Sequence, residues 1–453
     1  MRKQKGKERR ISRREFIQTA GSGTVGLGLM AAGAPLLKAA EKMAASDRIR
    51  VGILGFGVRG RQLAMVVART SGAEVAAVCD IYDGRFRRAA EVLSGKVEMT
   101  KDYRRILDRK DIDAVVISPP DHWHRQMTVD ALEAGKDVYL EKPLAHTIEE
   151  GKNIVEAVNR TGRVLQVGSQ LLSSIHLPEA KELIQEGRLG RITQVKARWD
   201  TGSLIGAWVK PIPPDASPET IDWKAFLGSA PYREFDPKRI FRWRCYSDYS
   251  EGLAGDVLSH LITEIHWLLD LGIPTRVATV GGIFHWKDGR DVPDTLSSVC
   301  QYPEDVILTI GATQANGYGD QVVQILGTQA TLELTHRGWT LYEERHAEGY
   351  SYVVEAWPRE LREEFYREHN LPLQPQRTPP EPRRTLASFA VPSGYDSTTE
   401  HMRNFFRYMR TREEPLENAT MGHEAAAVAH LINLSLQKEK AIGWDRDKQK
   451  VVS

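Results

Sequence analysis

"RIRVGILGFGVRG" occupies Arg48 to Gly60. Ile49, Val51, Ile53 and Leu54 make a short apolar run that stops at a glycine, the pattern of a buried strand. Gly55, Gly57 and Gly60 then complete G-x-G-x-x-G, and "RQLAMVVART" continues as a predicted helix. In such a strand–turn–helix unit the first glycine permits a tight turn. The second lets a pyrophosphate approach the backbone, and the third lets the helix pack closely on the strand. Helix N-terminal amides add donors for the phosphates. A second predicted strand, "EVAAVCD" (Glu74 to Asp80), ends in an acid twenty residues after Gly60. An acid there takes ribose hydroxyls and repels a 2′-phosphate, which predicts NAD rather than NADP. Gly55, Phe56, Gly57, Gly60 and Asp80 thus form the expected dinucleotide seat.

Outward from this unit the α/β rhythm continues. "YRRILDRKDI" reads as helix, "DAVVISPP" as strand, "QMTVDALEAG" as helix and "DVYLEKP" as strand. "TIEEGKNIVEAVNRTG" is then helical and "RVLQVGSQ" is a strand. Alternating units of this kind give a parallel sheet with helices on both faces. Ligands gather at the carboxyl ends of such strands. "SPPDHWH" and "EKP" fall at two of these ends, so Pro120, Asp121, His124, Glu141 and Lys142 are expected to face the cofactor.

After about residue 170 the pattern changes. "ITQVKARW", "TRVATVGGIFHW", "LSSVCQY", "DVILTIGATQA", "QVVQILG" and "ATLELTH" alternate apolar and polar residues and are joined by short turns. That alternation predicts an antiparallel sheet with one buried face. The expected architecture is an α/β Rossmann domain at 46–170, followed by an α+β domain at 171–453 with a large, mostly antiparallel sheet. Residues 353–395 are rich in proline and charge and read as a short helix followed by an extended arm or lid. "STTEHMRNFFRYMRTREEP" and "GHEAAAVAHLINLSLQ" read as late amphipathic helices packing near the first domain.

Charge separates a leader from the rest. Residues 1–45 hold ten Lys/Arg and three Asp/Glu, which leaves the remaining chain at a net −5. A chain without a basic face is not a nucleic-acid binder. Three scattered cysteines, Cys79, Cys245 and Cys300, make neither a disulfide framework nor a zinc site. Eight Lys/Arg stand within the first fourteen residues, ahead of an uncharged run from Phe16 to Leu37 with five glycines. A basic head, a weakly apolar middle and small residues after it describe a signal peptide. "SRREFIQ" (Ser12 to Gln18) resembles a twin-arginine signal, a receptor-read address. "AGA" (Ala32 to Ala34) and "KAA" (Lys38 to Ala40) are alternative cleavage points. The run is also long enough to span a bilayer. The expected location is therefore the periplasm, with a membrane tether if the leader stays on. Twin-arginine export, as the resemblance implies, carries folded proteins, so a dinucleotide would be bound before export and held tightly afterwards.

The order G-x-G-x-x-G, terminal Asp, "SPPDHWH", "EKPLA" resembles the glucose–fructose oxidoreductase / inositol dehydrogenase (Gfo/Idh/MocA) family. "EGLAGDVLSHL" (Glu251 to Leu261) is similar to that family's G-G-x-x-x-D-x-x-x-H element, and "DWKAFLGSAPYREFDP" looks like a segment of exported members. The likeness runs over roughly residues 48–445. It implies hydride transfer between a nicotinamide and a sugar, polyol or sugar derivative, with His124 along the cofactor and an antiparallel sheet often used to form homo-oligomers. It also implies a catalytic set of Lys142, Asp256 and His260.

The residues support that chemistry independently. Oxidising an alcohol needs a base for the hydroxyl proton beside the hydride acceptor. Asp256 and His260 are four apart on a predicted helix and so share a face. His260 is suited to act as base with Asp256 orienting it, while Lys142 at a strand end can steady the alkoxide. The alternative for all three is a structural role: a surface Lys–Glu pair, and a capping Asp–His pair. His122 and His124 lack ligand partners at metal spacing, so no metal is expected. "FRWRCYSDYSEG" offers Trp243, Tyr246 and Tyr249 for stacking on a sugar and Arg242 or Arg244 for a carboxylate or phosphate; filling space between domains is the equal alternative. Thr263 stands where the family often has an acid, and Pro119 and Glu251 also depart from its pattern. Two further readings remain open: an NAD-dependent glycosidase working by transient oxidation and elimination, and a non-catalytic sugar-binding relative.

Overall fold

The computed structural model describes residues 48–95, 97–344, 351–370 and 383–452. The leader, residues 1–45, lies outside the described residues, as does 371–382 of the arm. Two sheets organise the chain.

The first sheet is parallel, in the order β3-β2-β1-β4-β5-β6. Its strands are β1 (Ile49–Leu54), β2 (Ala73–Cys79), β3 (Glu98–Thr100), β4 (Ala114–Ile117), β5 (Asp137–Leu140) and β6 (Leu165–Val167). The central strands β1, β4 and β5 are nearly all buried, as expected of a parallel sheet covered on both faces. The crossover helices are α1 (Val58–Arg69), α2 (Asp83–Val92), α3 (His124–Glu133) and α4 (Ile148–Thr161). The Thr147 side chain caps α4 by accepting from the Glu150 amide. "YRRILDRKDI" yields only one helical turn, Arg104–Leu107, because Ile106 and Leu107 are its buried anchors and the polar residues after them face solvent.

The second sheet has ten strands, in the order β14-β13-β12-β11-β7-β10-β9-β8-β15-β16. Only the β7 (Ile192–Asp200) and β10 (Ile307–Thr313) pair is parallel; the other pairs are antiparallel. In β8 (Arg276–Gly282) and β9 (Thr295–Gln301) buried and exposed residues alternate, so one face packs inward and the other is open. Strands β11 (Gln321–Gly327) and β12 (Ala330–Thr335) follow the predicted runs. Four strands add to them: β13 (Gly338–Glu343), β14 (Thr385–Ala390), β15 (Ile442–Asp445) and β16 (Lys450–Val452). β14 falls inside the segment read as an arm, so part of that arm is the edge strand of the sheet, paired with β13. β14 and β16, at the two edges, are largely exposed, which erases the apolar alternation that marks a strand.

The inner face of the second sheet packs on α5 (Ser259–Leu269) and α7 (Ala419–Lys438). α6 (Ser397–Thr411) instead returns to the first sheet, where Met402, Phe405 and Phe406 join one core with Val51, Ile53 and Tyr139. α7 serves both halves: Ala419 and Ala426 pack with the first sheet, while Val428, Leu431 and Ile432 pack with the second.

Candidate active site

The glycine turn closes between β1 and α1. Gly55 has φ +91°, a conformation open to glycine, and a Cβ there would strike the Ser118–Pro119 backbone at 2.9 Å. A Cβ on Gly60 would lie 1.9 Å from the Gly55 carbonyl oxygen, so this glycine is a packing contact. Gly57 differs: nothing lies within 4 Å of its would-be Cβ, so bare backbone faces open space. Those are the three roles that a pyrophosphate cradle requires. Asp80, at the end of β2, accepts from the Phe56 amide at 2.7 Å through Oδ2 and from the Tyr82 amide at 3.0 Å through Oδ1. Burial raises its carboxyl pKa against the pull of Arg85 and these amides. The acid is thus fixed beside the turn, where a ribose would lie.

A cavity of about 990 Å³ runs from this turn to the second half of the molecule. Gly55, Gly57, Asp80, Pro120, Asp121 and His124 line it, together with Glu141 and Lys142. Phe56 and Gly60 do not; Phe56 is buried and acts through its amide, and Gly60 acts through close packing. The His124 ring nitrogens reach Pro143 O at 2.7 Å and Pro119 O at 3.2 Å, so this side chain braces the ends of β4 and β5 against each other. Arg59, inside the glycine motif, donates to Glu141 Oε1 at 2.8 Å, and Gln170 donates to the same oxygen at 3.1 Å. Its occupancy of a variable motif position hid Arg59 from sequence reading. Glu141 therefore pairs with Arg59, not with its neighbour Lys142.

Lys142 reaches across to the second half. Its Nζ donates to Asp256 Oδ1 at 2.8 Å and to the Asp256 carbonyl oxygen at 2.6 Å. Arg244 Nε donates to the same Oδ1 at 2.8 Å. Burial works against ionisation of Asp256, but Arg244 and Lys142 outweigh it and hold the carboxyl well below its usual range. Asp256 sits in a π-helical turn, Ala254–Leu258, that runs directly into α5. A wider i→i+5 turn breaks the i, i+4 register with His260, and no hydrogen bond joins the two side chains. His260 instead packs its ring 5.5 Å from that of Trp199 on β7. Its Nδ1 is buried without a partner among the described residues, and the residue does not line the cavity. Burial, then the charge on Lys142, pushes its pKa well below the usual value, so the imidazole is neutral at neutral pH. Lys142 acts on His260 through its charge, while its hydrogen bonds go to Asp256.

Of the expected substrate residues, Trp243 and Arg244 line the cavity. Tyr249 is fully buried, with its ring 4.8 Å from Phe226 and 5.1 Å from His122, which is the space-filling alternative. Thr263 is also buried and donates to Glu417 Oε1 at 3.2 Å, away from the cavity. Glu251, where a glycine was expected, accepts from Asn433 at 2.8 Å and pairs with His430 at 2.9 Å, while its amide donates to Asp121.

A segment after β7 crosses back over the cavity. Ile221 bridges to Tyr82, the Asp83 amide donates to Thr220 O at 3.0 Å, and the Asp222 amide donates to Ile81 O at 2.9 Å. Asp215 accepts from the Tyr82 hydroxyl and from Arg87. Phe241 meets Tyr82 edge-on at 5.5 Å, and Trp123 Nε1 donates to Phe226 O at 3.1 Å. This strap carries Trp208, Lys210, Phe226 and Trp243 onto the cavity wall.

Residues 49–169 match the oxidoreductase family with an NAD-binding Rossmann fold named Gfo/Idh/MocA, and residues 224–333 match the Gfo/Idh/MocA C-terminal domain. Together the two matches span just over half of the chain. The chain belongs to the Gfo/Idh/MocA oxidoreductase family. Within that family it resembles inositol 2-dehydrogenase of Salmonella typhimurium, 32% identical over 165 residues, which is 36% of this chain and 49% of the relative. It also resembles an alpha-N-acetylgalactosaminidase of Shewanella oneidensis, 34% identical over 233 residues, 44% of this chain and 50% of the relative. The chain spans about half the length of these curated relatives. Among solved structures, levoglucosan dehydrogenase in complex with NADH and L-sorbose superposes with a TM-score of 0.65 at 18% identity, covering 88% of this chain and 99% of that one. The WlbA dehydrogenase from Bordetella pertussis in complex with NADH and UDP-GlcNAcA gives 0.63 at 19%, covering 89% and 99%. At such identities these likenesses concern the fold.

Proposed function

We propose that this Gfo/Idh/MocA oxidoreductase oxidises or reduces a sugar, polyol or sugar derivative with a nicotinamide dinucleotide that stays bound between turnovers, and that it works in the periplasm after export on a twin-arginine signal. One observation carries the catalytic part: Lys142 and Asp256 meet on the wall of the same cavity that holds the glycine turn. The inositol 2-dehydrogenase relative and the NADH-bound neighbours support it. The bound nicotinamide would supply the two-electron acceptor. Gly55, Gly57 and the α1 amides would hold its pyrophosphate and Asp80 its ribose, which favours NAD over NADP. Lys142, aimed by Asp256, donates to the substrate oxygen, and neutral His260, which stands behind the cavity wall, would take up the hydroxyl proton through an intervening water. Retention of the nucleotide is supported by the strap latched to Tyr82. Association of copies through the open face of the second sheet is supported by the exposure of Val280, Val299 and Ile307.

Protein purified without added nucleotide tests this reading. It should carry NAD in nearly stoichiometric amount by mass, develop reduced-nucleotide absorbance with a sugar, and lose it on addition of a second carbonyl compound. If Lys142→Met and His260→Ala leave turnover untouched, the residue roles are wrong. The galactosaminidase relative supports one second reading, glycoside cleavage through a transient oxidation; cleavage with no net change in nucleotide would establish it. Nucleotide that never changes redox state would point to a sugar-binding relative instead.

A further inference from the structure

Arg244 is held on two sides. Its Nε is fixed to Asp256 Oδ1 at 2.8 Å, and its guanidinium carbon lies 4.2 Å from the centre of the Trp243 ring. The side chain is 30% exposed and lines the cavity, and its two terminal nitrogens have no protein partner among the described residues. A guanidinium stacked on a ring and anchored at one edge has little rotational freedom left. Its open edge presents parallel N–H donors at the spacing of a carboxylate.

Charge points the same way. Asp256 is a single carboxylate shared by two cations, Lys142 and Arg244. The other acids acting on Arg244 are Asp121 and Glu141. Asp121 accepts the Glu251 amide and Glu141 is paired with Arg59, so neither closes the open edge of Arg244. A carboxylate offers that edge two coplanar oxygens and one negative charge.

We infer that the substrate is a sugar acid, a uronate or aldonate whose carboxylate seats on the terminal nitrogens of Arg244 while one of its hydroxyls reaches Lys142. This rests on the oxidoreductase reading above for the role of Lys142, but the carboxylate seat is measured separately. Holoprotein carrying reduced nucleotide is titrated with glucuronate, galacturonate and gluconate, with glucose, galactose and sorbitol as uncharged counterparts, and with glucose 6-phosphate, following nucleotide fluorescence. The acids should bind at least about 10-fold more tightly than their counterparts, the factor expected for hydrogen bonds to a charged group. Arg244→Lys and Arg244→Gln should each lose most of that preference while retaining nucleotide. Uncharged sugars that bind as well as the acids, a phosphate that binds better, acids that do not bind, or a preference that survives both substitutions would each overturn the inference. Acids that bind with the expected preference and never change the redox state of the nucleotide would instead remove the oxidoreductase reading and leave the seat standing. Turnover confined to neutral sugars would do the reverse.

Discussion

Lys142 Nζ lies 2.8 Å from Asp256 Oδ1 and 2.6 Å from the carbonyl oxygen of the same residue, so one lysine fastens the two halves of the protein at the cavity wall. Removing either partner has a different signature. Lys142→Met leaves Asp256 paired with Arg244; it should lower kcat by about 10²–10⁴-fold, the range for a lost proton-handling group, with bound nucleotide unchanged. Asp256→Ala leaves two part-buried cations without their shared counter-charge and should cost about 1–3 kcal/mol in denaturant unfolding. Because the folded pKa of Asp256 is depressed, its contribution is present above the unfolded value of about 3.9 and disappears as pH falls through the folded value. The stability difference between wild type and Asp256→Ala should therefore shrink in acid.

Glu264 has the opposite sign. It is 4% exposed on α5, and burial alone raises its carboxyl to about 7. The folded state holds this proton more tightly than the unfolded chain, whose value is about 4.3. Stability is therefore fully present below about pH 4 and is lost as pH rises toward 7. Glu264→Met, similar in volume, should leave stability at low pH nearly unchanged and raise it by about 3–4 kcal/mol above pH 7. A uniform change at all pH values would contradict this account.

The glycines of the cradle separate folding from binding. Gly57→Ala meets nothing within 4 Å, so the protein should purify without nucleotide and melt like wild type stripped of its nucleotide. Gly60→Ala drives a methyl into the Gly55 carbonyl and should lower the melting temperature as well as nucleotide content. Equal behaviour of the two variants would mean that the open space at Gly57 is not where the pyrophosphate sits.

The strap makes nucleotide release a matter of opening. Asp215→Ala removes the acceptor shared by Tyr82 and Arg87, and Tyr82→Phe removes the hydroxyl donor. Each should speed nucleotide dissociation about 10-fold, the factor for one lost hydrogen bond to a charged group. Tyr232→Ala, at a strap residue that is 84% exposed, should not. Loss of fluorescence on dilution into a nucleotide scavenger reads this directly.

The parallel sheet was legible because glycine, proline and acids punctuate its apolar runs, and the cofactor-facing ends of β4 and β5 came with it. The Lys142–Asp256 contact could be expected only from the order of motifs, since 114 residues separate the pair. The π-helical turn was hidden: "GDVLSHL" has continuous helical spacing, and nothing in it announces the extra residue that breaks the Asp256–His260 register. Tyr249 was drawn toward the substrate by adjacency in sequence and Thr263 by its place in the resembled motif, whereas packing turns both inward. The strap has no periodic pattern, and its latch joins Tyr82 to Asp215, 133 positions apart, through single contacts. Edge strand β14 was obscured by neighbours rich in proline and arginine.

The return of α6 and α7 to the first sheet has a consequence for biosynthesis. Phe405 and Phe406 fill one flank of the β1–β4–β5 core, and Ala419 and Ala426 fill another, so the glycine turn near the start of the chain rests on residues translated hundreds of codons later. A nascent chain on the ribosome holds the whole cradle sequence long before it owns a finished cradle. Nucleotide loading would then follow synthesis of α6 and α7, which places occupancy of the cavity late in maturation.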